Sequence, residues 1–163
     1  MAWLAIQYQL LKYNPQPPGL RPRHGGNTMK EDKIKALAEY LDIGTDDVED
    51  GFEDNNFEAD GCEWLVLTDD EAAEAATEYI KESLWAFTAG FLAGETHLPE
   101  SIFEALQPQC EGANEAILSL VEGMGDLDSL VESAISADGR GHFMSSYDGE
   151  ENEQGEFFIY RTN

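Results

Sequence analysis

The sequence predicts an α+β domain in which several short helices pack on a small, mainly antiparallel sheet. Three observations lead there. In Thr68–Phe87 (TDDEAAEAATEYIKESLWAF), Ala72, Ala76, Tyr79, Ile80, Leu84 and Phe87 recur at three- and four-residue steps, the spacing of one apolar helical face. Just before it, NFEADGCEWLVL carries a preferred two-residue hairpin turn, Asp60-Gly61, and then a short run of good β formers. The closing segment DGRGHFMSSYDGEENEQGEFFIYRTN returns to β patterning.

The totals narrow the function classes. The chain has 163 residues, 42% of them apolar and 10% aromatic, which suits a packed domain and argues against simple disorder. It carries 34 Asp plus Glu against 9 Lys plus Arg, a formal charge of -25 at pH 7. Charge of that size favours solubility, repels nucleic acid and anionic membrane, and strains the compact state. Direct nucleic-acid binding is disfavoured, because phosphate contacts need clustered bases. Cys62 and Cys110 do not make a disulfide framework and read as reduced thiols of a cytoplasmic protein. No apolar run approaches the roughly 20 residues that cross a bilayer.

Taken in order, residues 1–28 differ from the rest. They hold no acid, carry Lys12, Arg21 and Arg23, and run through the proline-rich NPQPPGLRPRHGG. They read as a basic extension, disordered or non-native, with Met29 as the expected functional start and 29–163 as a single acidic domain. Lys30–Ile43 is an expected helix with Ile34, Leu37, Ala38 and Leu41 on its buried side and Gly44 at its C-terminal cap. Asp46–Asp60 is acid-dense, but no register in it supplies the ligands of a calcium-binding loop. The hairpin Asn56–Leu67 feeds into a helix whose start, Thr68 with Glu71, has the form of a capping box. Short helices are expected at Pro99–Leu106, Ala113–Glu122 and Leu127–Ala137, the last with Asp126 as N-cap. Gly141–Tyr147 and Glu156–Thr162 are expected strands joined by the acidic loop Asp148–Gly155.

Catalytic chemistry finds little support. Asp138, Arg140, His142, Ser145 and Ser146 lie close in sequence, but no nucleophile elbow or glycine-rich oxyanion turn surrounds them. A small hydrolase using His142 is therefore a minor alternative, and no enzyme is expected. His97, His142, Cys62 and Cys110 lack metal-ligand spacing, and no P-loop or dinucleotide fingerprint is present, so no cofactor or metal is expected.

The acids carry the stronger signal. Asp70, Glu74, Glu78 and Glu82 repeat every four residues, and Lys81 is the only base in their helix. Like charges at that spacing cost a few tenths of a kcal/mol per pair, about 1 kcal/mol for the stripe. Beyond Lys35 the only bases are Lys81, Arg140 and Arg161. Carboxylates four residues apart are spaced by about 6 Å along a helix, while duplex DNA places a charge about every 3.4 Å on each strand. One helix is too sparse, and mimicry of DNA would need a second acidic element. The partner-binding surface is expected at Asp69, Asp70, Glu74, Glu78 and Glu82, with Glu53, Asp54, Glu150, Glu151 and Glu153 from the flanking acidic segments.

EWLVLTDDEAAEAATEYIKESLWAF and the C-terminal DGRGHFMSSYDGEENEQGEFFIYRTN together resemble small acidic proteins encoded by bacteriophages and prophages. The group brings no catalytic residues to transfer. The resemblance implies a phage accessory protein acting in the bacterial host cell. In composition the chain is also similar to DNA mimics that block restriction or CRISPR nucleases. The expectation is an inhibitor that occupies the basic channel of a host nucleic-acid-binding protein, without contacting nucleic acid or membrane itself. The alternative is a phage accessory or assembly module whose acidity serves solubility, and self-association into a homodimer is compatible with either.

Overall fold

The structure, a computed structural model, describes residues 26–51, 54–125 and 127–163. It is an α+β protein with a five-stranded antiparallel sheet in the order β1-β2-β3-β5-β4. The strands are β1 (Glu49–Asp50), β2 (Asn56–Ala59), β3 (Cys62–Thr68), β4 (Asn152–Gln154) and β5 (Phe157–Arg161). The helices are α1 (Gly26–Leu41), α2 (Asp69–Glu82), α3 (Ala89–Thr96), α4 (Glu100–Leu106), α5 (Asn114–Met124), α6 (Leu127–Asp138) and α7 (Arg140–Met144). None of the described helices is long and apolar enough to cross a membrane. The chain divides into two compact units: one takes the residues up to Asp70 together with Met144–Asn163, the other Glu71–Phe143.

In the first unit, α1 lies on one face of the sheet. Leu37 and Ala38 from the helix, Phe57, Trp64 and Val66 from the hairpin, and Phe157 and Ile159 from β5 are buried together. Helix α1 ends one turn before Gly44. Asp42, at φ 57, takes the left-handed position, while Ile43 N–H donates to the Ala38 carbonyl (3.0 Å) and Asp42 N–H to that of Glu39 (3.4 Å). That is the Schellman pattern, which a short polar residue tolerates at its left-handed site. The β2–β3 hairpin forms as its turn predicts, with Asp60 at φ 51 and Gly61 at φ 71. Both central residues of a type I′ turn require positive φ. Trp64 braces the hairpin through its indole N–H, 3.1 Å from the Ala59 carbonyl.

The expected strand Gly141–Tyr147 does not form. Gly139, at φ 79, donates its N–H to the Ile135 carbonyl (2.8 Å) and ends α6, and the chain turns at once into α7. This delivers Phe143 to a core where its ring meets those of Tyr79 and Phe87. The partner of β5 is instead β4, cut from the segment read as an acidic loop. Gln154 faces Phe157 across a two-residue turn with Gly155 at φ 66, where a type II′ turn takes glycine.

The second unit is helical. Ile80, Leu84, Leu92, Phe103, Ile117, Val121 and Leu130 form its fully or nearly fully buried centre. The amphipathic helix expected to reach Phe87 stops at Glu82, and Leu84–Ala86 continues as one 3-10 turn. Asn114 holds this break. Its amide donates to the Lys81 carbonyl (2.7 Å) and its oxygen accepts from Trp85 N–H (3.1 Å), so one side chain serves groups on both sides. The Ser83 hydroxyl also folds back onto the Tyr79 carbonyl (2.7 Å). Thr88 then caps α3 by accepting from Phe91 N–H (3.2 Å).

Candidate functional site

The expected acidic residues fall in both units. Asp69, Asp70, Glu74, Glu78 and Glu82 all lie on α2 and all are exposed. Lys81 pairs with Glu78 (2.8 Å), so one carboxylate of the stripe is already partnered. Glu82 responds to its crowding. Partial burial, and then the negative charge of Glu78, hold its carboxyl above the ordinary glutamate range.

In the first unit, Asp54 is exposed in the turn before β2, and Glu150 and Glu153 are exposed around β4. Glu151 is only half-exposed and accepts a hydrogen bond from the Tyr160 hydroxyl (2.5 Å), which gives it a structural task. Glu53 and Asp126 lie outside the described residues.

The strongest arrangement of acids was not among the expected residues. Glu49 on β1 stands directly opposite Glu58 on β2, and Glu58 directly opposite Glu63 on β3. Directly paired residues of antiparallel strands share a face, so the three form one row across the sheet. All three are exposed. With Asp47 and Asp60 they line a depression of about 320 Å³ with no Lys or Arg among its described lining residues. Neighbouring strands are about 4.8 Å apart, so charge follows charge more closely here than along a helix. Like charges directly opposite in a sheet are destabilising, and here two such pairs stand in succession.

Part of this row is legible in the sequence. A two-residue turn at Asp60-Gly61 forces Ala59 opposite Cys62, and therefore Glu58 opposite Glu63. Glu49 is not legible, because β1 is two residues long and approaches only through Gly51. An added Cβ at Gly51 would sit 2.8 Å from the Asn56 backbone, and its N–H donates to the Asn56 carbonyl (2.8 Å).

Among the described residues, each Lys and Arg is engaged within the chain. Lys30 pairs with Asp50 (2.7 Å), Lys35 with Glu39 (3.9 Å) and Lys81 with Glu78 (2.8 Å). Lys33 is 2% exposed and donates to Asn55 Oδ1 (2.6 Å). Arg161 lies over the Tyr147 ring at 3.6 Å and donates to the Asn163 carbonyl (2.6 Å), and Arg140 is engaged as well.

The serine and histidine candidates make contacts within the chain. Ser145 Oγ lies 2.7 Å from both Asp148 Oδ1 and the Arg161 carbonyl, and Ser146 Oγ donates to the Thr162 carbonyl (2.6 Å). Both hydroxyls thus tie the segment after α7 to the end of β5. The His142 ring packs edge-on against Phe143. Among the described residues, no group of three or more His, Cys, Asp or Glu is placed to hold a metal ion.

Compared with protein-family models, curated proteins and solved structures, the chain matches none of them.

Proposed function

We propose that this chain is an acidic decoy for nucleic acid, which inhibits a nucleic-acid-binding protein by occupying its basic channel. The observation that carries the reading is the Glu49–Glu58–Glu63 row, held in register by backbone pairing and flanked by Asp47 and Asp60. The sheet keeps these carboxylates together against their mutual repulsion, and a surface dense in Lys and Arg would relieve it. Their spacing of about 4.8 Å lies nearer the charge spacing of a DNA strand than the helix stripe does. The α2 carboxylates Glu74 and Glu82, with the exposed acids Glu150 and Glu153, extend the negative surface of their own units. The resemblance to phage proteins suggests a host protein as the target, and the similarity in composition to DNA mimics suggests a restriction or CRISPR nuclease as its class.

The reading is tested with the tagged full chain as bait in bacterial lysate, eluted by increasing salt. The expected result is a basic nuclease or DNA-binding subunit released at moderate salt, since exposed charge contacts are screened within about 8 Å at physiological ionic strength. Capture only of partners indifferent to salt would count against it and favour an assembly module.

A further inference from the structure

Helices α4 and α5 leave an open groove of about 630 Å³ between them, and five of its seven described lining side chains are apolar: Ile102, Ala105, Leu106, Ala116 and Leu120. Ala105 and Ala116 are exposed, and Met124, one helical turn beyond Leu120 on α5, is 61% exposed. An apolar groove on a helix pair, prolonged by an exposed methionine, gives a partner's apolar side chains a place to enter.

Charge selects what fits it. Between Lys81 and Arg140 the chain holds no Lys or Arg, while Glu100, Glu104, Glu115 and Glu122 stand exposed on the two helices that form the groove. A second copy of this chain would bring the same acids against themselves. An apolar ligand without charge would leave them unanswered. An amphipathic helix answers both features when its polar face is basic: its apolar residues at i, i+3, i+4 and i+7 enter the groove and its Lys or Arg side chains meet the flanking glutamates. We infer that the α4–α5 groove is a docking site for a cationic amphipathic helix of a partner protein. The inference uses residues of the second unit alone and does not rest on the decoy reading.

The test is a calorimetric titration of the full chain with a synthetic Leu/Lys amphipathic peptide of about 18 residues, long enough to form a helix. A peptide of the same composition in scrambled order, without an apolar face, is the first control. Two variants accompany it. Ala105→Gln/Ala116→Gln fills the groove at exposed helical positions that tolerate Gln, and Glu49→Gln/Glu58→Gln/Glu63→Gln removes the sheet row. The expected result is that the amphipathic peptide binds at least about tenfold more tightly than the scrambled one. The groove variant should lose about tenfold in affinity with its circular dichroism and thermal unfolding unchanged, and the sheet variant less than about threefold. Equal binding of the two peptides, or full affinity in the groove variant, would overturn the assignment by making the interaction one of charge alone. A dimer of the chain that the groove variant dissolves would overturn it too, by placing a second copy in the groove. Because the sheet variant is scored separately, failure of the decoy reading leaves this result intact, and the reverse holds.

Discussion

Glu58 and Glu63 face one another across the β2–β3 ladder, two exposed carboxylates placed in register by the Asp60-Gly61 turn, with Glu49 continuing the row on β1. Ordinary sheets place opposite charges or β-branched residues at such paired positions. A row of three like charges costs folding energy, and in this protein the hydrophobic pairs behind it, Phe57 with Trp64 and Val66 with Ile159, hold the strands against that cost.

The first prediction concerns stability. Glu49→Gln/Glu58→Gln/Glu63→Gln should stabilise the protein, because each like-charged pair removed is worth about 0.2–1 kcal/mol. Urea denaturation at low and at high salt measures it. The gain should shrink as salt rises, since salt already screens the repulsion in the parent. A loss of stability at low salt would mean that the glutamates make favourable contacts.

A second prediction follows from the α2 stripe. The carboxyl of Glu82 titrates above the ordinary range in the folded chain, held there by partial burial and by Glu78. Because the folded value exceeds the unfolded one, this group favours folding fully below the unfolded range, and the advantage disappears as pH rises through the folded value. At neutral pH the ionised side chain therefore opposes the fold. Glu82→Gln should raise stability at pH 7 by about 0.3 kcal/mol, a small figure because the site is exposed. Near pH 3, below the usual glutamate range of about 4.3, the difference should vanish. Thermal unfolding of both proteins across that interval checks the sign.

Much of the fold is legible in the sequence, and the exceptions have physical causes. The β2–β3 hairpin, the entry into α2 and the short helices α4, α5 and α6 each follow from a local signal: a turn dipeptide, an apolar period or a proline. The end of α2 does not. The apolar spacing continues through Leu84 and Phe87, and what stops the helix is Asn114, a long-range partner invisible to any local window. The α7 segment misleads for the opposite reason. Phe143 and Tyr147 are good strand residues, but Gly139 and the aromatic core that receives Phe143 turn the chain into a helix. In the acidic surface, counting charges along α2 finds its exposed stripe. The denser row becomes visible only when the hairpin register is applied to the acids flanking the turn.

The third prediction tests the break after α2. Asn114→Ala removes hydrogen bonds to both Lys81 and Trp85 and leaves part-buried backbone groups without them, which should cost about 1–3 kcal/mol. For a domain of this size each kcal/mol lowers the melting temperature by about 2–4 °C. Calorimetry measures the shift, and an unchanged midpoint would show that water replaces the amide.

The fourth concerns Gly51. A methyl group there meets the Asn56 backbone at 2.8 Å, too close to be relieved by a side-chain rotation. Gly51→Ala should therefore release β1, accelerating amide exchange at Glu49 and Asp50 while Phe57 and Trp64 stay protected. The variant should also bind the target less well, since Glu49 leaves the row. Protection of Glu49 and Asp50 equal to the parent would show that the strand adapts.

The central claim is that the sheet row occupies a nucleic-acid site on its target. The measurement that tests it most directly is an equilibrium competition in which labelled duplex DNA is displaced from the captured partner by the full chain, with Glu49→Gln/Glu58→Gln/Glu63→Gln alongside. The account predicts mutually exclusive binding and a variant weaker by at least about tenfold, an effect that diminishes as salt is added. A ternary complex of partner, DNA and this chain, or a variant that displaces DNA as well as the parent does, would contradict it.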